Sequence, residues 1–364
     1  MLLDGIFPPI TTPFYPDGRV YHKKLEHNLE HYSKTPVGGV VVLGSTGEAI
    51  MLSDEERREV LKTARGACAP HKVLIAGTGS ESAIDTLRLT EYAAELGYDV
   101  ALVRTPFYYR KQMLPPNMLA FYRMIADRSP IPIMIYSVPI FTNYDMSAEL
   151  VIELAEHPNI IGIKESGGDA EKIQKMAGGT RHIRRTALVT DTFSAVTPRM
   201  LKAEANGNGE LVPVAALAGE AKPRSEHRTS SGLTSSSSAI RVVGGLKTRQ
   251  KEVGFQICAG AAQRLYPSLQ AGAVGAILAF ATPAPTVCYE VYAAWKEGDQ
   301  ELARTKQERI AGAAARVAGE LGIPALKYAL DLNGYYGGPP RLPLLPLKAD
   351  QKAEVERLMA DIRN

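Results

Sequence analysis

A chain of 364 residues with 45% hydrophobic content can bury a large core, and a single barrel can use most of that length. A net charge of +3, with no run of Lys and Arg and no basic-aromatic interleaving, argues against a nucleic-acid partner. No window approaches the roughly eighteen apolar residues of a membrane span. The start, Met-Leu-Leu-Asp-Gly-Ile-Phe-Pro-Pro, lacks a leader pattern, and Cys68, Cys258 and Cys288 are scattered, so the chain reads as cytoplasmic, without membrane, disulfide framework or zinc site.

From Gly5 to Gly178 short apolar runs alternate with amphipathic stretches. The predicted strands are Ile6 to Thr12, Gly39 to Leu43, Val73 to Ala76, Val100 to Thr105, Ile131 to Ser137 and Ile160 to Lys164. Helix-like segments follow each, such as Ser53 to Gly66, which opens with the capping pattern Ser-Asp-Glu-Glu. Such alternation implies right-handed crossovers and a parallel sheet. Phe255 to Ala259 and Val274 to Phe280 bring the strands to eight, most simply a (β/α)8 TIM barrel with its site at the carboxyl ends of the strands. The barrel is expected over residues 1–284. A helical appendage, 285–364, follows, with helices at Pro285 to Gly298, Glu301 to Glu320 and Pro324 to Leu332, and a turn-rich segment at Gly334 to Arg341.

One segment, roughly Thr180 to Glu252, breaks the alternation and reads as an insertion before the seventh barrel strand. Arg224-Ser-Glu-His-Arg-Thr and Ser235 to Ser238 are too polar to offset ordering entropy, so Gly219 to Ser238 is expected to be disordered. Thr186 to Pro198 is apolar enough for a short strand or helix.

Lys164 ends the apolar run Ile160 to Lys164 and shares a strand face with Ile160 and Gly162. Burial disfavours the ammonium form, and a neutral lysine is the usual nucleophile toward a carbonyl carbon, through a Schiff base. A lysine that snorkels or pairs with a carboxylate just past the strand is the structural alternative. Tyr136 shares its parity with Met134 in the preceding strand, so its phenol can face the same interior as Lys164 and carry protons, or be an ordinary core tyrosine. In Gly44-Ser45-Thr46-Gly47-Glu48, two glycines around two hydroxyls allow backbone amides and hydroxyls to converge on one anion such as a carboxylate. His27 and His31, four apart beside Glu30, lack the order of a metal-binding helix and read as a solvated face; no metal ligand set is expected.

Together these residues, with Thr105-Pro-Phe-Tyr108, Tyr136-Ser-Val-Pro139, Gly162-Ile-Lys-Glu-Ser166 and the Gly260 turn, resemble the pyruvate-dependent class I aldolase family that includes dihydrodipicolinate synthase and N-acetylneuraminate lyase. The resemblance covers nearly the whole chain outside the insertion. It implies that Lys164 forms the Schiff base, Tyr136 relays protons, and Ser45 links Tyr136 to Tyr108, a residue this family donates across a dimer interface. It also implies that Ser45, Thr46 and Gly47 hold the pyruvate carboxylate and that Gly260 and Ile277 line the keto-acid site. No cofactor is implied beyond the covalent imine on Lys164. The expected partners are a small 2-oxo acid, an aldehyde and further copies of the chain, as a dimer or homotetramer.

The synthase branch of the family carries an arginine two residues after the proline of the tyrosine motif, where this chain has Phe141, with Asn143 beyond it. A phenyl ring cannot form the bidentate pair with a carboxylate that a guanidinium forms. Phe141 and Asn143 therefore point to a less anionic distal end, and Arg110 and Lys111 are the only cations placed near the site mouth to replace that arginine. Tyr-Ser-Val-Pro, Lys-Glu-Ser-Gly-Gly-Asp, Gly322-Ile-Pro-Ala-Leu-Lys and Gly334-Tyr-Tyr-Gly-Gly-Pro look more like the 4-hydroxy-2-oxoglutarate aldolase branch. That implies a carbon-carbon lyase giving pyruvate and an aldehyde. The alternatives are 4-hydroxy-tetrahydrodipicolinate synthase, a dehydratase of an acidic sugar, and a non-catalytic keto-acid-binding protein.

Overall fold

The structure, a computed structural model, describes residues 1–206, 241–243 and 246–362. Its centre is an eight-stranded parallel sheet of β1 (Gly5–Ile6), β2 (Gly39–Val42), β3 (Val73–Gly77), β4 (Val100–Arg104), β5 (Ile133–Ser137), β6 (Ile160–Glu165), β10 (Gln256–Ala259) and β11 (Gly275–Ala276). The sheet order is β1-β11-β10-β6-β5-β4-β3-β2. A parallel bridge between Pro9 and Val41, with Gly38 N donating to Ile6 O at 3.0 Å and Ile10 N to Val41 O at 2.9 Å, joins β1 to β2 and closes the barrel. The fold is the expected (β/α)8 barrel. Its first strand is shorter than Ile6 to Thr12 because Pro8 and Pro9 have no N–H to give the ladder.

Val41, Ile75, Leu102, Met134, Cys258 and Ile277 cluster inside the barrel. Ala101, Val103, Ile133, Ile135, Ile160 and Ile163 pack outward with the surrounding helices. Ile160 does not share the Lys164 face as expected, because the β5–β6 pairing shifts register between Ile133 and Met134 and sends Ile161 to the interior cluster in its place. Strands buried on both faces explain the near-continuous apolar runs. Strand parity then carries Arg104 inward after Leu102, Tyr136 after Met134 and Lys164 after Gly162, all at carboxyl ends. Helix Asp54–Ala67 starts as expected, with the Ser53 hydroxyl accepting from Glu56 N at 3.2 Å and the Glu56 carboxylate accepting from Ser53 N at 3.0 Å.

Beyond the barrel, helices Pro285–Lys296, Gln300–Ala313 and Ile323–Leu332 are followed by Ala349–Met359. The segment expected as one helix to Glu320 is α-helical to Ala313 and π-helical over Ala314–Glu320. The last helix is unmarked in the sequence because its apolar face has only Val355 and Met359 buried. No helix among the described residues is long and apolar enough to cross a membrane.

The flanks of the insertion are folded. β7 (Arg185–Thr190) pairs antiparallel with β9 (Leu246–Val253), which pairs with β8 (Arg241–Val243). The expected strand within Thr186 to Pro198 is the end of β7, and helix Pro198–Asn206 follows. β9, Leu-Lys-Thr-Arg-Gln-Lys-Glu-Val, escapes a sequence reading because its buried positions are Thr248 and Val253, and backbone pairing defines it instead. The segment expected to be disordered, Gly219 to Ser238, lies outside the described residues.

This small sheet is fastened beneath the barrel. Arg185 donates to Ile160 O at 2.8 Å and to Ala155 O at 2.7 Å. The Arg199 guanidinium is buried 3.4 Å from Asp99 Oδ2, whose carboxylate also accepts from Leu74 N at 2.8 Å. Burial raises the Asp99 carboxyl above its usual range, and Arg199 opposes that rise.

Candidate active site

Tyr136 and Lys164 stand opposite each other in the β5–β6 ladder. Both are buried, with 6% and 5% of their surface exposed, and Lys164 Nζ lies 4.1 Å from the centre of the Tyr136 ring. Among the described residues no carboxylate pairs with Lys164. The ion-paired and snorkelling alternatives therefore do not describe it: the amine is retained inside, where a charge without a counterion is expensive.

Ser45 Oγ is 3.2 Å from Tyr136 OH, so the loop after β2 is joined to the pair as expected. Ser45–Gly47 forms a single 3-10 turn, and Glu48 follows in the left-handed region at φ 54°. Thr46 and Gly47 are buried, and the Thr12 hydroxyl donates to Gly47 O at 2.7 Å.

Glu48 anchors this loop, a role the sequence reading overlooked. Its carboxylate is buried 2.5 Å from Lys327 Nζ and accepts from Arg341 N at 2.8 Å. Lys327 also donates to Thr12 O and Pro339 O, each at 2.9 Å. Burial lowers Lys327 to about 8, against the pull of Glu48. The Gly334 to Arg341 segment crosses so close to helix Ile323–Leu332 that a Cβ on Gly337 would sit 1.8 Å from Lys327 O. The available signal was a lysine in the otherwise apolar run Ala325, Leu326, Ala329, Leu330.

On the other wall, the fully buried Glu165 folds the chain after Lys164 by accepting from Gly167 N at 2.9 Å and Gly168 N at 2.8 Å, with Lys172 Nζ 3.6 Å away. Gly260 N donates to Glu165 O at 2.7 Å, and a Cβ there would lie 2.6 Å from Ser166 Oγ, so only glycine fits. The buried Ser166 hydroxyl oxygen has no hydrogen-bond partner among the described residues. Ile277 is fully buried in the interior cluster, with its N–H on Ala259 O at 2.8 Å.

The remaining expected residues are elsewhere. Tyr108 is 72% exposed, packs edge-on against Tyr109, and has no hydrogen bond to Ser45 within the chain. Phe141 and Asn143, on and after the short helix Pro139–Thr142, are exposed. Arg110 and Lys111, expected as the cations of the site mouth, are also exposed. Two arginines approach Tyr136 and Ser45: Arg57, whose Nε donates to Ala49 O at 3.0 Å, and Arg104. Arg104 stands opposite Tyr136 in the β4–β5 ladder and lines one small cavity with Ser45 and Tyr136. Glu81 orients it, with Arg104 Nη1 donating to Oε1 at 2.8 Å while Oε2 accepts from Phe107 N and Tyr108 N at 2.9 and 3.0 Å. Its inward parity with Val100 and Leu102 was the signal missed.

Comparison with known proteins adds a second line. The profile of the Dihydrodipicolinate synthetase family matches residues 2–207 and 237–362, leaving between them a stretch that lies outside the described residues. The match thus takes in both flanks of the segment expected as an insertion. A 4-hydroxy-tetrahydrodipicolinate synthase from Exiguobacterium sp. is 27% identical over 354 residues, covering 97% of this chain and 96% of that protein. Another, from Stenotrophomonas maltophilia, is 40% identical over 176 residues, which is 48% of this chain and 59% of the relative. Among solved structures, the chloride-inhibited dihydrodipicolinate synthase from Acinetobacter baumannii complexed with pyruvate aligns at TM-score 0.75 and 25% identity, covering 99% of each chain.

The Glu48–Lys327 pair generates a direct test. Lys327→Met leaves Glu48 buried without its counter-charge and is expected to lower the unfolding free energy by about 3–5 kcal/mol. Adding Glu48→Gln to that variant should recover part of the loss. Urea denaturation followed by circular dichroism measures both; equal stability of Lys327→Met and the wild type would show that the pair anchors nothing.

Proposed function

The chain belongs to the dihydrodipicolinate synthetase family, and from that premise we propose that it is a Schiff-base class I aldolase acting on a 4-hydroxy-2-oxo acid, with 4-hydroxy-2-oxoglutarate as the preferred substrate. The observation that carries the reading is the buried Tyr136–Lys164 pair with Ser45 on the phenol.

In this mechanism neutral Lys164 attacks the 2-oxo carbon, and loss of water gives a protonated imine. Tyr136 takes the proton of the 4-hydroxyl, and Ser45 accepts or returns it through their shared hydrogen bond. The C3–C4 bond breaks, its electrons move into the imine, and the aldehyde leaves. Protonation of the enamine and hydrolysis release pyruvate and free Lys164; the reverse sequence is aldol addition. The imine is the electron sink, so no cofactor enters this reading. Ser45, Thr46 and Gly47 hold the 1-carboxylate, with Gly260 and Ile277 lining the opposite wall.

Arg104 supplies what Phe141 cannot, a guanidinium for the distal carboxylate, so the distal end is read as anionic rather than apolar. The names of the relatives favour a second reading, 4-hydroxy-tetrahydrodipicolinate synthase, in which the same enamine adds to aspartate semialdehyde. Relative kcat/KM for 4-hydroxy-2-oxoglutarate cleavage and for condensation with aspartate semialdehyde separates the two. The exposed Tyr108 is read as a residue completing the site of a second copy.

Pyruvate release from 4-hydroxy-2-oxoglutarate, followed with a coupled dehydrogenase, should fall by about 10²–10⁴ in kcat for Tyr136→Phe. Arg104→Leu should raise KM at least about tenfold, the worth of one charged hydrogen bond, while a 4-hydroxy-2-oxo acid without the second carboxylate loses no affinity. Equal KM in Arg104→Leu and wild type would remove Arg104 from the site. Mixing inactive Tyr108→Phe and Lys164→Ala chains should restore turnover, because a hybrid dimer holds one site with both wild-type groups. No recovery after demonstrated subunit exchange would contradict the shared site.

A further inference from the structure

The turn-rich segment Gly334 to Arg341 is pinned along its course. The buried Asn28 donates its side-chain amide to Tyr336 O and accepts from Tyr336 N, each at 2.8 Å, and Asp331 Oδ1 accepts from Gly337 N at 2.8 Å. The segment is thereby led to the loops that follow β1 and β2, where Arg341 joins three separate pieces of chain. Its Nη1 donates to Glu56 Oε2 at 2.7 Å and to Met51 O at 2.8 Å, while Nη2 donates to Glu56 Oε1 at 2.7 Å and to Gly18 O at 2.5 Å. Its backbone N–H goes to Glu48 Oε2 at 2.8 Å. Arg341 Cζ and Lys327 Nζ lie 4.4 and 4.3 Å from the centre of the fully buried Phe14 ring, so both cations also rest on one aromatic ring.

The contact with Met51 brings this arrangement to bear on the site. The loop after β2 is two consecutive 3-10 turns, Ser45–Gly47 and Ala49–Met51, which share Glu48 at φ 54° as their hinge. A residue other than glycine persists in that region only where its surroundings over-determine it. Arg341 supplies such a surrounding from both sides of the hinge, with its N–H on the Glu48 carboxylate and its guanidinium on Met51 O. On the first of the two turns stands Ser45, whose Oγ is 3.2 Å from Tyr136 OH.

Arg341 does not itself address a substrate. Nη1 and Nη2 each make two hydrogen bonds, which uses every hydrogen on them and leaves no donor at the tip for a substrate carboxylate. Nor is stability its main contribution, since the Arg341 and Glu56 side chains are 18% and 27% exposed and water screens the pair. We propose that Arg341 is a positioning residue, through which the carboxyl-terminal segment fixes the Ser45–Gly47 turn and so sets the affinity of the site for the carboxylate of a 2-oxo acid. The inference rests on the reading in which that turn holds the 1-carboxylate and Lys164 forms the imine.

The test is the pyruvate concentration that half-saturates formation of the borohydride-trapped adduct on the full chain, read by intact mass. Arg341→Leu should raise it at least about tenfold, since a displacement of about 1 Å in a positioning element can cost about 10²-fold. The adduct yield at saturating pyruvate should stay that of the wild type, because Lys164 and Tyr136 keep their places in the strands. Arg341→Lys, which retains the charge without the planar fork, should shift half-saturation in the same direction. Arg316→Leu controls for a merely structural role: Arg316 makes an equally bidentate pair with Glu354, at 2.8 and 2.9 Å, elsewhere in the carboxyl-terminal region, and its loss should leave half-saturation unchanged. Unchanged half-saturation in the Arg341 variants, an equal shift in Arg316→Leu, or loss of the adduct at every pyruvate concentration in both Arg341 variants would overturn the role of Arg341 alone. No adduct on the wild type would overturn the imine reading and this inference with it.

Discussion

Parallel strand pairing that sets Arg104, Tyr136 and Lys164 side by side at the carboxyl ends of β4, β5 and β6 is the constraint on which the rest of the molecule depends. Register in a sheet is all or nothing, since a slip of one residue would turn each of these side chains outward into the helices. The outward faces of the same strands are packed with Ala, Val and Ile, so such a slip would also bury charges in the apolar shell. Core packing and site geometry are thereby enforced by one pattern. The amine can stay unpaired and buried because the large apolar shell supplies the stability that a buried polar group removes.

The loops at that end are rigid for a different reason: they are tied by charge. Glu48 is gripped by Lys327 and the Arg341 backbone, and Arg341 pairs with both oxygens of Glu56 at 2.7 Å. The carboxyl-terminal region thus acts on the turn at Ser45 through helix Asp54–Ala67 and through Glu48 itself. Buried pairs of this kind contribute little net stability but are costly to break singly, which suits the holding of one loop conformation.

Much of this was legible in the sequence. The barrel was readable because each strand carries its own apolar run, and Lys164 and Tyr136 because parity along a strand follows from spacing alone. Ser45 was readable because glycines bracket it. Arg104 obeys the same parity rule within the predicted strand Val100 to Thr105, yet the cations sought for the site mouth were the exposed Arg110 and Lys111 in the loop beyond it. Glu48–Lys327 joins residues far apart in the chain, and no local pattern announces such a pair. β9 shows the limit most plainly: a strand of alternating charged residues exists because β7 offers it a partner.

The central claim is that Lys164 is the nucleophile, and the direct measurement is the intact mass of the protein after borohydride treatment in the presence of pyruvate. The account predicts one reduced pyruvyl adduct on the wild type and none on Lys164→Ala. An unmodified wild type, or an adduct that persists in Lys164→Ala, would contradict it.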